Sequence, residues 1–117
     1  MKTTLRSCTV ILFALVFLNA AQIVSTQLHI TVRDSLGNIV EGASVRLFEN
    51  EEDYKKESNQ AGETLTTDKS GMVKIRNLKS IKYYVLVEKE DMSNIGGGVA
   101  TEKLVEKKIN KVTIIIE

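Results

Sequence analysis

Two short groups in this chain have the composition of an ion or phosphate cradle. DSLG at residues 34–37 and DKSG at residues 68–71 each place a carboxylate three positions before a glycine, and Gly42 follows the first group closely. A phosphate-binding loop needs a glycine-rich turn that opens a helix, so that several backbone N–H groups converge on the anion. Here Gly37 and Gly71 lead into more strand-like sequence. A calcium loop needs oxygen ligands at nearly every second position and a closing Glu, and neither group supplies them. The chemistry that fits is local. An Asp side chain accepts from backbone N–H groups a few residues on, and a Gly takes the left-handed conformation that closes the turn. Asp34, Gly37, Asp68 and Gly71 are therefore read as corner residues. Gly42, before Ala43, is read as the site of a bulge or close backbone approach.

The other chemistry-bearing residues are isolated. His29 is the only histidine and shares its strand with Leu28 and Ile30, which point the opposite way. It has no second histidine to complete a zinc site, and a serine triad around Ser35, Ser44, Ser58, Ser70, Ser80 or Ser93 would have to reach it. ENEEDY, residues 49–54, gathers Glu49, Glu51, Glu52 and Asp53 beside two lysines. That group offers weak calcium binding or a solvated loop, with a short turn of helix over Glu51–Lys56 as a further expectation. No cofactor and no metal site is assigned.

The elements that would position these residues follow from the whole chain. Of its 117 residues, Lys2 and Arg6 precede an apolar run from Val10 to Leu18, and small and polar residues follow it. This is the layout of a secretory signal peptide over residues 1–26, as a signal helix with cleavage after Ala20, Ala21, Ser25 or Thr26. The strictly apolar run falls short of the roughly 20 residues needed to cross a bilayer. Contact with a membrane is expected only through this segment, if it is retained. Cys8, the sole cysteine, lies within it, so disulfides and thiolate chemistry leave with the signal. Residues 27–117 then form one domain, secreted or periplasmic. Without Lys2 and Arg6 the 16 basic side chains become 14 against 15 acidic, a balance with no long-range pull toward nucleic acid.

In the remaining domain the apolar period is two almost throughout. Leu28, Ile30 and Val32 alternate with His29, Thr31 and Arg33, Val45 and Leu47 with Ser44, Arg46 and Phe48, Tyr83, Val85 and Val87 with Tyr84, Leu86 and Glu88, and Val112, Ile114 and Ile116 with Thr113 and Ile115, while a further run reaches Val73 and Ile75. Turn-rich clusters separate these runs. The pattern predicts an all-β fold, a sandwich of two antiparallel sheets with about seven strands.

The order LHITVRDSLGNIVEGASVRLF, TTDKSGMVKIRNL and KYYVLVEK resembles the carboxypeptidase regulatory-like domains, particularly small secreted versions from Bacteroidota-type bacteria. The resemblance runs from Leu28 to Ile116. It rests on Gly37, Gly42, Ala43, Val45, the group Thr67, Asp68 and Gly71, Asn77 with Leu78, and the Tyr83 strand. It implies a Greek-key transthyretin-like sandwich. The family often places a proline after the first turn glycine, where this chain has Asn38 and Ile39 and contains no proline. Transthyretin-like hydrolases of 5-hydroxyisourate carry several histidines and a C-terminal Tyr-Arg-Gly-Ser, whereas this chain ends TIIIE. Pilin-type adhesin domains can join an early-strand Lys to a last-strand Asn. Asn110 fits the second position, but the first strand carries Arg33 and no lysine.

The function expected is therefore that of a non-catalytic secreted interaction or accessory module. Its partner would be a protein or glycan of the cell envelope, held through end loops or a strand edge. The alternatives are a small extracytoplasmic hydrolase or isomerase, a calcium-dependent module, and a carbohydrate-binding module. Three places are candidates for contact. The first is the loop DMSNIGGGVATEKL with Asn94, Gly96, Gly97 and Gly98. The second is the pair Tyr54 and Tyr84, which could stack on a sugar ring. The third is the last strand, where Ile115 departs from the alternation and suits a strand covered on both sides or paired with another chain.

Overall fold

A computed structural model describes residues 24–117. The signal segment expected at the amino terminus lies, as far as residue 23, outside the described residues. The domain is a two-sheet sandwich of seven strands: β1 (Gln27–Asp34), β2 (Ser44–Phe48), β3 (Ala61–Thr66), β4 (Met72–Ile75), β5 (Tyr84–Lys89), β6 (Met92–Ser93) and β7 (Ile109–Ile116). Among the described residues a single short helix, α1 (Glu51–Lys56), joins β2 to β3. One sheet has the order β4-β1-β7 and the other β3-β2-β5-β6.

Alternation along each strand decides what lies between the sheets. Leu28, Ile30 and Val32 of β1, Val45 and Leu47 of β2, Val85 and Val87 of β5, and Ile114 and Ile116 of β7 are all buried in one cluster. Each contributes roughly 1.5–3 kcal/mol through removal from water. Tyr83, just before β5, joins them, and its hydroxyl accepts from Lys79 N–H at 3.0 Å. The sheets are therefore held by the apolar face that the period-two pattern assigns to the interior.

Two expectations about the strands are corrected. The sheets are not wholly antiparallel, because β7 runs parallel to β1 over its whole length, from Gln27 opposite Ile109 to Asp34 opposite Ile116. A parallel neighbour needs a long crossover, and the intervening chain, which supplies β4 and all of the second sheet, provides it. Nor is β7 covered on both sides. It is the outer strand of its sheet, and Ile115 is 44% exposed.

Phe48 also departs from its assigned environment. Alternation places it on the outer face of the four-stranded sheet, yet it is fully buried, because α1 folds over it. Asn50 caps that helix: its Oδ1 accepts from Asp53 N–H at 2.8 Å. Glu51, Glu52 and Asp53 occupy the first turn, and Lys55 and Lys56 the last, which suits the helix dipole at both ends. A helix this short is marginal alone, so its anchorage comes from the ring of Tyr54 packed on the sheet.

Candidate functional site

The two Asp-x-x-Gly groups form the same loop twice. Asp34 Oδ1 accepts from the N–H groups of Leu36 at 3.0 Å and Asn38 at 2.9 Å, and Gly37 N–H donates to Asp34 O at 3.0 Å. In the second loop Asp68 Oδ1 accepts from Ser70 at 2.9 Å and Met72 at 3.0 Å, while Gly71 N–H donates to Asp68 O at 2.9 Å. These backbone bonds, chiefly that from Asn38, draw the Asp34 carboxyl below its ordinary pKa. Both carboxylates are spent on closing their own turns. The loops differ in surroundings: Gly37 faces open space, whereas a Cβ on Gly71 would run into Ile39 Cγ2 and lie 3.0 Å from Val32 O. Gly42, with φ +79°, donates its N–H to Thr67 O, and the buried Thr67 hydroxyl bridges Val40 O and Ala43 N–H.

The acidic segment is similarly occupied. Glu51 and Glu52 pair with Lys55 and Lys56 one turn on, Glu49 pairs with Lys79, and Asp53 receives the amides of Asn50 and Asn59. Among the described residues no group of three or more His, Cys, Asp or Glu is arranged to hold a metal ion. Tyr54 and Tyr84, the pair expected as a sugar contact, are both half-buried and lie against each other. Their ring centroids are 6.2 Å apart, and Tyr54 meets Phe48 edge-on at 5.9 Å. Burial, reinforced by Glu57 and Glu88, raises the Tyr54 hydroxyl above its ordinary pKa. The Lys82 ammonium lies 5.6 Å from the Tyr84 ring.

Asn94 is also structural. It is 3% exposed, its Oδ1 accepts from Val87 N–H at 3.0 Å, and its Nδ2 donates to Val85 O at 2.8 Å. The side chain replaces a strand along that stretch of β5, so it is not available on the surface. Asn110 has a comparable role. Its amide donates to Gln27 O, Val105 O and Lys108 O and accepts from Val105 N–H, and the residue opposite it on β1 is Leu28. A covalent Lys-to-Asn link has no lysine at that register position. Sequence reasoning missed Thr67, Thr101 and Asn94 as buried backbone clamps: Thr67 reaches Val40 and Ala43, Thr101 Oγ1 accepts from Tyr83 N–H at 3.0 Å, and Asn94 turns back on Val85 and Val87.

Two of the expected contact regions do come together. Gly96, Gly97 and Gly98 are exposed, with no atom within 4 Å of an added Cβ. Ile95, 66% exposed, and Gly96 and Gly97 share a hollow of about 260 Å³ with Ile115 and Glu117 at the end of β7. Glu117 exchanges two backbone hydrogen bonds with Ser93, which pins the rim of this hollow. Upstream of that clasp β7 has no second strand beside it. Gln27 N–H donates to Lys108 O, so by the alternation of a parallel ladder the N–H and C=O groups of Lys111, Thr113 and Ile115 point away from β1. A second opening, a cleft of about 430 Å³ between β3 and β4, has Leu47, Leu65, Ile75 and Leu78 on its walls.

Comparison with protein-family models gave no match, and comparison with curated proteins gave none. Solved structures share the fold. A streptococcal ancillary pilin aligns over 82% of this chain with a TM-score of 0.62 and 20% identity. The group B streptococcus pilus 2b backbone protein aligns over 79% with a TM-score of 0.52 and 20% identity. The major pilin subunit of Bacillus cereus aligns over 80% with a TM-score of 0.51 and 21% identity. The chain spans 33%, 40% and 30% of those three proteins respectively. At this level of identity the likeness establishes the β-sandwich.

Proposed function

We propose that this chain is a non-catalytic extracytoplasmic interaction module that takes an extended segment of a protein partner along the outer edge of β7. The observation that carries this reading is the convergence of the exposed Ile95, the three-glycine loop and Ile115 on one hollow beside an unpaired strand edge. An open edge offers a row of backbone donors and acceptors for strand addition, with neighbouring apolar side chains to fix the partner's register. Support for a non-enzymatic role comes from Asp34, Asp68, Asn94 and Asn110, whose side chains are committed to backbone, and from the sandwich shared with pilin subunits. Those neighbours favour a surface or pilus-associated role, and the signal-like amino terminus supports export. The sequence resemblance to carboxypeptidase regulatory-like domains is compatible with the same architecture and gives the domain family we propose.

The test is a pull-down from envelope extract with the purified chain, the variant Thr113→Pro and the variant Ile115→Asp. Proline at residue 113 removes an N–H on the free side of the strand and leaves the β1 ladder intact. Loss of the same partner from both variants, with their melting temperatures retained, supports edge addition. Equal recovery by all three proteins removes it, and turnover of a small substrate by the purified chain would overturn the non-catalytic reading itself.

A further inference from the structure

The formal charge of the domain is close to neutral, but the charges are not mixed. On the outer face of the three-stranded sheet, Lys74 of β4 lies opposite His29 of β1, which lies opposite Lys111 of β7. Arg33 stands further along β1, with its Nη1 donating to Gly37 O at 2.8 Å, and by the same alternation Arg76 follows β4 and Glu117 follows β7 on this side. The remaining outward positions of β1 and β7 hold Gln27, Thr31, Thr113 and two isoleucines, and none is a carboxylate. Among the described residues, the cations engaged in ion pairs are Arg46, Lys55, Lys56 and Lys79, all away from this face. Partial burial, then Lys74, Lys111 and Arg76, lowers the His29 pKa, and the imidazole Nε2 lies 3.2 Å from Gln27 Oε1. Like charges set directly across a sheet oppose folding.

We infer that this face binds a linear acidic polysaccharide laid across the three strands. Adjacent strands stand roughly 4.8 Å apart, so Lys74 and Lys111 are separated by about 10 Å with His29 between them. That spacing fits successive anionic groups on an extended chain better than one compact anion. Thr31 and Thr113 supply hydroxyl groups for sugar hydroxyls between the cations, the Gln27 Oε1 already meets His29 Nε2 at 3.2 Å, and the Arg76 guanidinium fork suits carboxylate or sulfate oxygens. No Phe, Tyr or Trp points outward to stack on bases, which single-stranded nucleic acids require. This surface shares Lys111 and Thr113 with the β7 edge but uses their side chains and not their backbone groups, so it stands whether or not strand addition occurs.

The experiment measures binding of the purified chain to polygalacturonate and to heparin, with double-stranded DNA, anionic phospholipid vesicles and neutral dextran beside them. The expected result is binding to one or both acidic glycans that weakens at least tenfold, to an order of magnitude, between 50 and 200 mM salt, as release of several counterions requires. The double variant Lys74→Glu/Lys111→Glu should lose at least about tenfold in affinity, while Lys55→Glu/Lys56→Glu, with the same change in net charge, should bind like the parent. If charge reversal unfolds the sheet, Lys74→Thr/Lys111→Thr gives the same comparison with strand-compatible side chains. Bound polygalacturonate or heparin should also raise the His29 pKa. The proposal is overturned by no glycan binding at 50 mM salt, by equal loss in the helix variant, or by tighter binding of DNA or vesicles.

Discussion

On the outer face of the four-stranded sheet, Arg46 reaches both Glu57 and Glu88, and α1 seals Phe48 from water. On the outer face of the three-stranded sheet, Lys74, His29 and Lys111 stand in a row with no carboxylate among the outward strand positions. The inner faces of both sheets follow one rule, apolar against apolar. Their outer faces obey different ones. One has been turned into a small second core with its charges matched, and the other retains unmatched charge on a bare surface. The first arrangement stabilises the domain, whereas the second adds little to folding and leaves cations free for something outside the molecule.

The largest test of this contrast is Phe48→Ala. The ring is fully buried between the sheet and α1, in contact with Tyr54 and with the Arg46 guanidinium 6.0 Å from its centroid. Its truncation should cost about 3–4 kcal/mol in urea unfolding and loosen the helix. Ile115→Ala on the bare side should change stability by less than about 0.5 kcal/mol. A cost below about 1 kcal/mol for Phe48→Ala would mean that α1 does not pack as a second core.

Charge removal should separate the faces next. Arg46→Met leaves Glu57 and Glu88 without their shared partner. Because the arginine is mostly covered but both glutamates are well exposed, a loss of about 1 kcal/mol is expected after solvent screening. Lys74→Thr removes a cation that has no ion-pair partner among the described residues and should leave stability unchanged or slightly raised. Similar losses from the two substitutions would contradict the division between matched and unmatched charge. Asn50→Ala probes the helix alone. Loss of the bond to Asp53 N–H should cost about 0.5–1 kcal/mol, and the resulting fluorescence change should be confined to Tyr54 and Tyr84.

What the sequence discloses about these faces depends on how far each interaction reaches along the chain. Asp34 and Asp68 meet partners two and four residues on, so their turns are readable from spacing alone. The helix at Glu51–Lys56 is legible for the same reason, through Asn50 and the acidic-to-basic order that follows. Alternation identifies Phe48 as outward but carries no information about what will cover it. It is equally silent on strand direction, so the parallel pairing of β7 with β1 becomes evident only in space. Asn94 reads as a loop residue beside three glycines, and its burial follows from a bond to the backbone of β5. The row Lys74–His29–Lys111 draws one residue from each of three strands distant in sequence. Net charge, which sums over both faces, hides it.

The smallest effect is also the most selective. The His29 pKa lies below its ordinary value, first through partial burial and then through Lys74, Lys111 and Arg76. A histidine whose folded pKa is depressed binds fewer protons folded than unfolded, so its contribution to stability rises with pH in that range. Above the unfolded value near 6.5 the ring is neutral in both states and the penalty is absent; as pH falls toward the folded pKa, protonation favours the unfolded chain. The melting temperature should therefore decline slightly from pH 7 to pH 5, and His29→Gln should remove that part of the slope. In the parent, replacing Lys74 and Lys111 by Thr should move the imidazole titration, followed by NMR, back toward its ordinary value. An unchanged titration would mean that the lysines do not act on the ring and that the row is a feature of register without electrostatic consequence. Recovery of the pKa on lysine removal would show that the bare face carries an uncompensated field, which is the property an anionic chain would exploit.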